Sequence, residues 1–79
     1  MSVSSNCIKV INQLSDIEKL IDEMYDSVVL EQYNIPDNFM DDEIYKSFCS
    51  MREDIMNAKE RCSRLRDDLE HLTFIYENL

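Results

Sequence analysis

Three cysteines, Cys7, Cys49 and Cys62, and a single histidine, His71, are the side chains of this sequence best suited to metal binding or thiol chemistry. The cysteine spacing matches neither a zinc finger or ribbon nor a C-x-x-C redox pair, and the number of cysteines is odd. His71 follows Asp67 by one helical turn, where an ion pair is the expected role. We therefore expect no metal, no cofactor and no disulfide framework.

The chain contains no glycine, which bears directly on catalysis. Phosphate-binding loops, nucleophile elbows and tight two-residue hairpins each need a position with positive φ or without a Cβ atom. Carboxylates are abundant, but none is expected to lie in a concave pocket that would support acid–base chemistry. The sequence therefore predicts a protein that is not an enzyme.

The charge balance narrows the range of partners. Eight Lys and Arg face 17 Asp and Glu, which gives a net charge of −9. This sign disfavours direct binding to nucleic acid or to anionic membranes. The sequence shows no signal-peptide pattern and no apolar run of about 18 residues that would span a membrane. With the unpaired cysteine count, these features favour a cytoplasmic or nuclear location.

Two rows of apolar residues with alternating three- and four-residue spacing define the secondary structure. Such heptad spacing is typical of α-helices that pack along one seam. The first row comprises Cys7, Val10, Leu14, Ile17, Ile21, Met24 and Val28. The second comprises Ile44, Phe48, Met51, Ile55, Ala58, Cys62, Leu65, Leu69, Leu72, Tyr76 and Leu79. The sequence therefore predicts two long helices.

Pro36 separates the two rows, and their heptad phases do not match across it. Proline lacks an amide proton and disfavours helical geometry in the preceding residue, so the first helix must end here. We predict a single domain with a flexible N-terminus over 1–4, helix one over 5–33, a turn over 34–37, and helix two over 38–79. A capping-box pattern at Ser15-Asp16-Ile17-Glu18 leaves open a later start of helix one.

A short turn makes the two helices antiparallel, so the expected fold is all-α, a two-helix antiparallel coiled-coil hairpin. Pairing the rows symmetrically about Pro36 opposes Leu14 to Ala58, and it brings Glu18 opposite Arg52. Two helices give a chain of this size a thin core. We therefore expect the hairpin to form part of a four-helix bundle, through self-association or with other subunits.

Two groups of apolar residues fall outside this expected seam and are candidate partner-binding residues. The first group shares one side of the hairpin near its turn and is rich in tyrosine, a residue enriched at interfaces. It contains Tyr25, Val29, Tyr33, Tyr45, Cys49 and Met56. The second group is expected to extend beyond the start of helix one as a C-terminal overhang. It contains Leu72, Phe74, Ile75, Tyr76 and Leu79.

Acidic residues without any intervening base surround the turn, and we call this segment the acidic tip. It contains Asp22, Glu23, Asp26, Glu31, Asp37, Asp41, Asp42 and Glu43. The sequence thus supports two functional hypotheses. The first is a non-catalytic assembly subunit that binds itself or other helical proteins. The alternative is an acidic inhibitor or nucleic-acid mimic whose tip enters a basic cleft of its target.

Overall fold

The computed structural model describes the backbone of residues 2–79 and the side chains of residues 5–79. Two long helices, α1 (Ser2–Asn34) and α2 (Asp42–Glu77), are joined through a short 3-10 turn at Asp37–Phe39. The helices pack against each other along their length as an antiparallel pair that measures 62 × 16 × 12 Å. The predicted all-α hairpin is confirmed.

The turn at Pro36 moves the start of α2 four residues beyond the predicted position. The Phe39 amide donates to the Pro36 carbonyl at 2.9 Å, which closes the 3-10 turn. The chain then becomes extended at Met40, and the Asp41 carboxylate accepts a 2.8 Å hydrogen bond from the Ile44 amide. Asp41 is therefore the N-cap of α2. The capping bond between the Asp41 carboxylate and the Ile44 amide therefore marks the start of α2.

The hairpin interface uses one heptad row from each helix. The row on α1 consists of buried Cys7, Leu14 and Ile21, followed by half-buried Val28 and Ile35. On α2 the corresponding row is formed by buried Phe48 and half-buried Ile55, Cys62 and Leu69. Half of each predicted seam thus lies in the core. The core is thin, because these rows are covered by a single partner helix.

The other half of each predicted seam is exposed. Ile17 is 43% and Met24 50% exposed on α1, and Leu65 is 47% exposed on α2. Val10, Met51 and Leu72 are also exposed. The predicted seam was therefore wrong by a rotation of each helix about its axis. The apolar stripe on both helices is wider than one partner helix can cover, so its spacing alone does not decide which edge is buried.

Cross-helix ion pairs lie beside the buried row of each helix, on the side opposite the exposed apolar residues. Arg66 Nη1 donates to Glu18 Oε2 at 2.9 Å, and both side chains are largely covered. Lys59 Nζ donates to Asp22 Oδ1 at 2.6 Å in a more exposed setting. This hydrogen bond raises the pKa of Lys59 above its ordinary value. Its contribution to stability is therefore full below the ordinary lysine pKa and is lost only as the pH rises through the raised one.

The ion pairs also fix a register that differs from the predicted one. Glu18 pairs with Arg66 instead of Arg52, which lies two heptads closer to the turn. The residues paired across the two helices are thus equidistant in sequence from a point near Asp41, and not from Pro36. The shift arises because residues 36–41 form the turn and the cap of α2. From these pairs, the start of α1 and the end of α2 are level within about one helical turn. The predicted C-terminal overhang of α2 is therefore wrong for the described chain.

We expect Arg66→Ala to lower the free energy of unfolding by about 1 to 3 kcal/mol, because it leaves the largely covered Glu18 carboxylate without its donor. Arg64→Ala is the matched control, since Arg64 pairs with Glu60 in an exposed setting, and we expect a change below about 0.5 kcal/mol. Urea unfolding of both variants measures the difference. A double-mutant cycle that couples Glu18 to Arg52, and not to Arg66, would contradict the register.

Candidate interaction surfaces

The exposed half of the predicted seam, together with Leu20, lies on one side of the hairpin, which we call the apolar face. Its members come from both helices and carry no charge. They are Val10, Ile17, Leu20 and Met24 of α1, and Met51, Ala58, Leu65 and Leu72 of α2. A groove of about 580 Å³ runs along part of this face and is lined by Leu20, Met24, Val28 and Ile55, with Glu23 and Ser27 at its edge.

Helix geometry explains why both rows lie on the same side of the hairpin. On each helix, the ion-paired residues flank the buried row on one side, and the exposed apolar row flanks it on the other. In an antiparallel pair, equal rotation of both helices brings corresponding edges to the same side. The Glu18–Arg66 and Asp22–Lys59 pairs therefore share one side, and the apolar face occupies the opposite side.

The sequence interpretation assigned every member of the apolar face except Leu20 to the interior of the hairpin. The signal that points to the observed rotation is a row of bases, Arg52, Lys59 and Arg66, spaced seven residues apart on α2. Glu18 and Asp22 on α1 provide acids at positions able to meet two of them. Complementary charges at heptad spacing on one edge of each stripe indicate which edges pair in a hairpin.

The tyrosine-rich group lies on the ion-pair side of the hairpin, divided between two grooves. Val29, Tyr33 and Tyr45 line a groove of about 620 Å³ near the turn, together with Arg52. A second groove of about 420 Å³ is lined by Tyr25 and Met56, with Lys59 and Asp22. The sequence interpretation also grouped these residues on one side of the hairpin. It did not anticipate that cationic side chains would lie among them.

Cys49, the remaining member of this group, is half-buried and contacts Arg52. Arg52 Nη2 donates a hydrogen bond to Cys49 Sγ at 3.3 Å. This bond is the main reason that the pKa of Arg52 is raised above its usual value. Arg52 Nε is buried and forms no hydrogen bond within the described residues. The cysteine therefore serves as an acceptor for a guanidinium that has few other partners.

The second predicted group, at the end of α2, does not form a single surface. All five of its members are exposed, and Leu79 is 92% exposed. Leu72 belongs to the apolar face, whereas Phe74 projects from another side of the same helix. Because α1 runs alongside this segment, its residues border the hairpin and do not extend beyond it. Of this group, Leu72 is the member that adds to a larger apolar surface.

The acidic tip is mostly solvent-exposed. Asp22 pairs with Lys59, and Asp41 caps α2. The other six acids form no ion pair within the part of the chain that the structure describes. They are Glu23, Asp26, Glu31, Asp37, Asp42 and Glu43. The tip therefore presents a concentration of negative charge with little internal compensation.

Comparison of the chain with protein-family models, with curated proteins and with solved structures finds no match. Over residues 2–79, neither helix has a segment both long and apolar enough to cross a lipid bilayer. No group of three His, Cys, Asp or Glu side chains that could hold a metal ion occurs among the described residues.

Two isoleucines one turn apart on α1 separate the core from the apolar face. Ile21 is 5% exposed, so we expect Ile21→Ala to lower the free energy of unfolding by about 2 to 4 kcal/mol. Ile17→Ala removes the same atoms from the apolar face and is expected to cost about 1 kcal/mol or less in dilute, monomeric protein. Thermal unfolding compares the two variants at a protein concentration at which the chain sediments as a 9.4 kDa monomer, and equal losses would contradict the observed rotation.

Proposed function

We propose that this protein is a non-catalytic assembly subunit, whose apolar face packs against helices of a binding partner. The observation that carries the proposal is the apolar face itself. It contains eight uncharged residues on two helices, and six of its seven large side chains are at least 38% exposed. Soluble proteins seldom leave a contiguous apolar surface of this extent uncovered unless it binds something.

The thin core of the hairpin gives an independent reason for a partner. Four hydrophobic side chains, Cys7, Leu14, Ile21 and Phe48, are buried among those described. A core of this size offsets only poorly the conformational entropy that the chain loses on folding. A further pair of helices on the apolar face would bury both the exposed rows and the open side of the core. The result is a four-helix bundle, a common arrangement for paired helical hairpins.

The groove between Met24 and Ile55 favours a helical partner over an extended peptide. It is open along the hairpin axis, and it is lined mainly by aliphatic side chains. Leu20, Met24 and Val28 recur every four residues along its α1 wall, a spacing that suits the side chains of another helix. An extended strand would instead need free backbone donors and acceptors, which two α-helices do not offer.

Photo-crosslinking tests the proposal directly. Benzoylphenylalanine replaces Leu65 on the apolar face or, as the matched control, Asn57, which is exposed on the opposite side of α2. We expect covalent adducts with a helical protein, or with this chain itself, from position 65 and at least about tenfold fewer from position 57. Mass spectrometry of the adducts identifies the partner. Equal yields from both positions would exclude the apolar face as the binding surface.

The acidic tip supports a second candidate function, the binding of a basic protein surface. Seven of its eight acids lack ion pairs within the described chain, and the charge of the six that do not cap α2 is available to steer association.

The same photo-crosslinker at Asn38, between Asp37 and Phe39, tests this alternative. If the tip binds a basic partner, we expect adducts that no longer form when crosslinking is carried out in 0.5 M salt. The double substitution Asp42→Asn and Glu43→Gln is expected to prevent their formation as well. Asp41 is left intact because it caps α2. Adducts that resist salt would count against this function.

A further inference from the structure

We infer that the apolar face binds a second copy of this chain in the reversed direction, so that the acidic tips of the two copies point away from each other. The inference rests on the proposed function of the apolar face and specifies its occupant. The arrangement is a symmetric dimer of hairpins whose two-fold axis crosses the apolar face at the level of Ile17 and Leu65. In this dimer α1 packs on α1 and α2 packs on α2, each pair antiparallel.

Residues of the apolar face form three layers along the hairpin axis, each with one residue from α1 and one from α2. These layers are spaced symmetrically about the level of Ile17 and Leu65. The Glu18–Arg66 pair places Ile17 and Leu65 within about 3 Å of each other along the hairpin axis. In the same register, Val10 is level with Leu72 on one side of this central layer. Met24 is level with Ala58 on the other side. A two-fold rotation about the central layer therefore superposes the two outer layers.

The size pattern of these layers is complementary in the reversed arrangement. Leu72, a large residue, meets Ala58 of the second copy, and Val10 meets Met24 of the second copy. Large residues opposite small ones allow two helices to interdigitate without voids. Beyond the outer layer, the same symmetry brings the exposed Met51 level with the C-terminal end of α2 in the second copy.

Charge distinguishes the reversed dimer from one in which the tips lie together. A parallel arrangement would bring eight acids from each copy into one region, and neither tip contains a base. Repulsion of this kind opposes association between two chains that already carry a net charge of −9 each. In the reversed dimer, the turn of each hairpin, with Asp37, Asp41, Asp42 and Glu43, extends about 10 to 20 Å beyond the open end of the other hairpin. The two acidic regions are then at opposite ends.

The edges of the apolar face agree with this choice. Along α1 the edge residues are uncharged, so two copies of α1 can approach each other without desolvating a charge. They are Asn6, Gln13, Leu20 and Ser27. Along α2 the edge contains Asp54, Arg61 and Asp68, none of which forms an ion pair with the described residues of its own hairpin. The reversed register brings Arg61 of one copy opposite Asp68 of the other, twice in the dimer.

The area of the apolar face is sufficient for a stable dimer. The row from Met51 to Leu72 is about 32 Å long, and two adjacent helices present a surface about 20 Å wide. This gives roughly 600 Å² from each copy, or about 1200 Å² in total, which is at the lower end of the range for specific interfaces. The interface would also cover the open side of the thin hairpin core.

A charge-reversal series tests the dimer and its register. Sedimentation equilibrium of the full chain is expected to give twice the 9.4 kDa chain mass. Arg61→Glu changes two intermolecular attractions into repulsions, and we expect about a tenfold larger dissociation constant. Asp68→Arg in the same chain is expected to restore the original value. Arg64→Glu makes the same change in net charge on the opposite side and is expected to alter the constant less than about twofold.

Spin labels test the relative direction of the two copies. Ser47→Cys is labelled in a chain whose three native cysteines are replaced by alanine, with circular dichroism to verify that it is helical. The reversed dimer predicts labels about 55 Å apart along the axis. A dimer with adjacent tips predicts about 20 to 25 Å, a result that would overturn the inference. A failure of the Asp68→Arg rescue would overturn the register in the same way.

The failure of this inference and the failure of the proposed function give different results. A chain that sediments at 9.4 kDa, yet crosslinks from position 65 to another helical protein, excludes the second copy and retains the assembly function. A monomer without specific crosslinks from position 65 excludes both. A dimer that Leu65→Asp does not dissociate shows that self-association uses a different surface, which also overturns the inference.

Discussion

The contact between Glu18 and Arg66 determines how the two helices face each other. Its 2.9 Å hydrogen bond fixes the rotation of both helices and their longitudinal register at the same time. From that register follow the burial of Leu14 and Ile21, and the level ends of the two helices. The exposure of Ile17 and Leu65 is a direct consequence of the same rotation. The apolar face thus lies on the side of the seam opposite the cross-helix ion pairs.

This contact specifies geometry more than it stabilises the fold. Glu18 Oε2 accepts the hydrogen bond from Arg66, but Glu18 Oε1 is buried and has no donor among the described residues. A partly covered carboxylate loses much of its hydration, and that cost offsets most of the attraction between the charges. Apolar residues at the same positions would pack with less penalty but would accept several registers. The pair therefore favours one arrangement among several that apolar packing alone would permit.

The heptad spacing and Pro36 were sufficient to predict the all-α hairpin, because both act through local backbone geometry. The rotation of the helices was not predictable from apolar spacing, since the stripe on each helix is broad enough for two different seams. The register failed for a related reason. A turn that contains a 3-10 segment and the Asp41 cap consumes residues that the sequence interpretation assigned to helix two.

The candidate surfaces show the same division between local and tertiary information. The tyrosine-rich side was predictable because its members share positions on each helix. The apolar face was missed because Val10, Ile17 and Met24 have the spacing of core residues. Either edge of the apolar stripe could pack against the other helix of the hairpin. The edge that does so is covered by its own chain, and the other edge is left exposed. The row of Arg52, Lys59 and Arg66 carries that information, and apolar periodicity ignores it.

The level ends of α1 and α2 have a mechanical consequence. The start of α1 and the end of α2 lie at the same end of a hairpin 62 Å long. A polypeptide joined before α1 and one joined after α2 would therefore both leave the hairpin from that end. The hairpin would then hold the turn at Asp37–Phe39 about 60 Å from the point of attachment. Pulling on both sides would separate the helices from that end and break their cross-helix contacts one after another, as in opening a zipper.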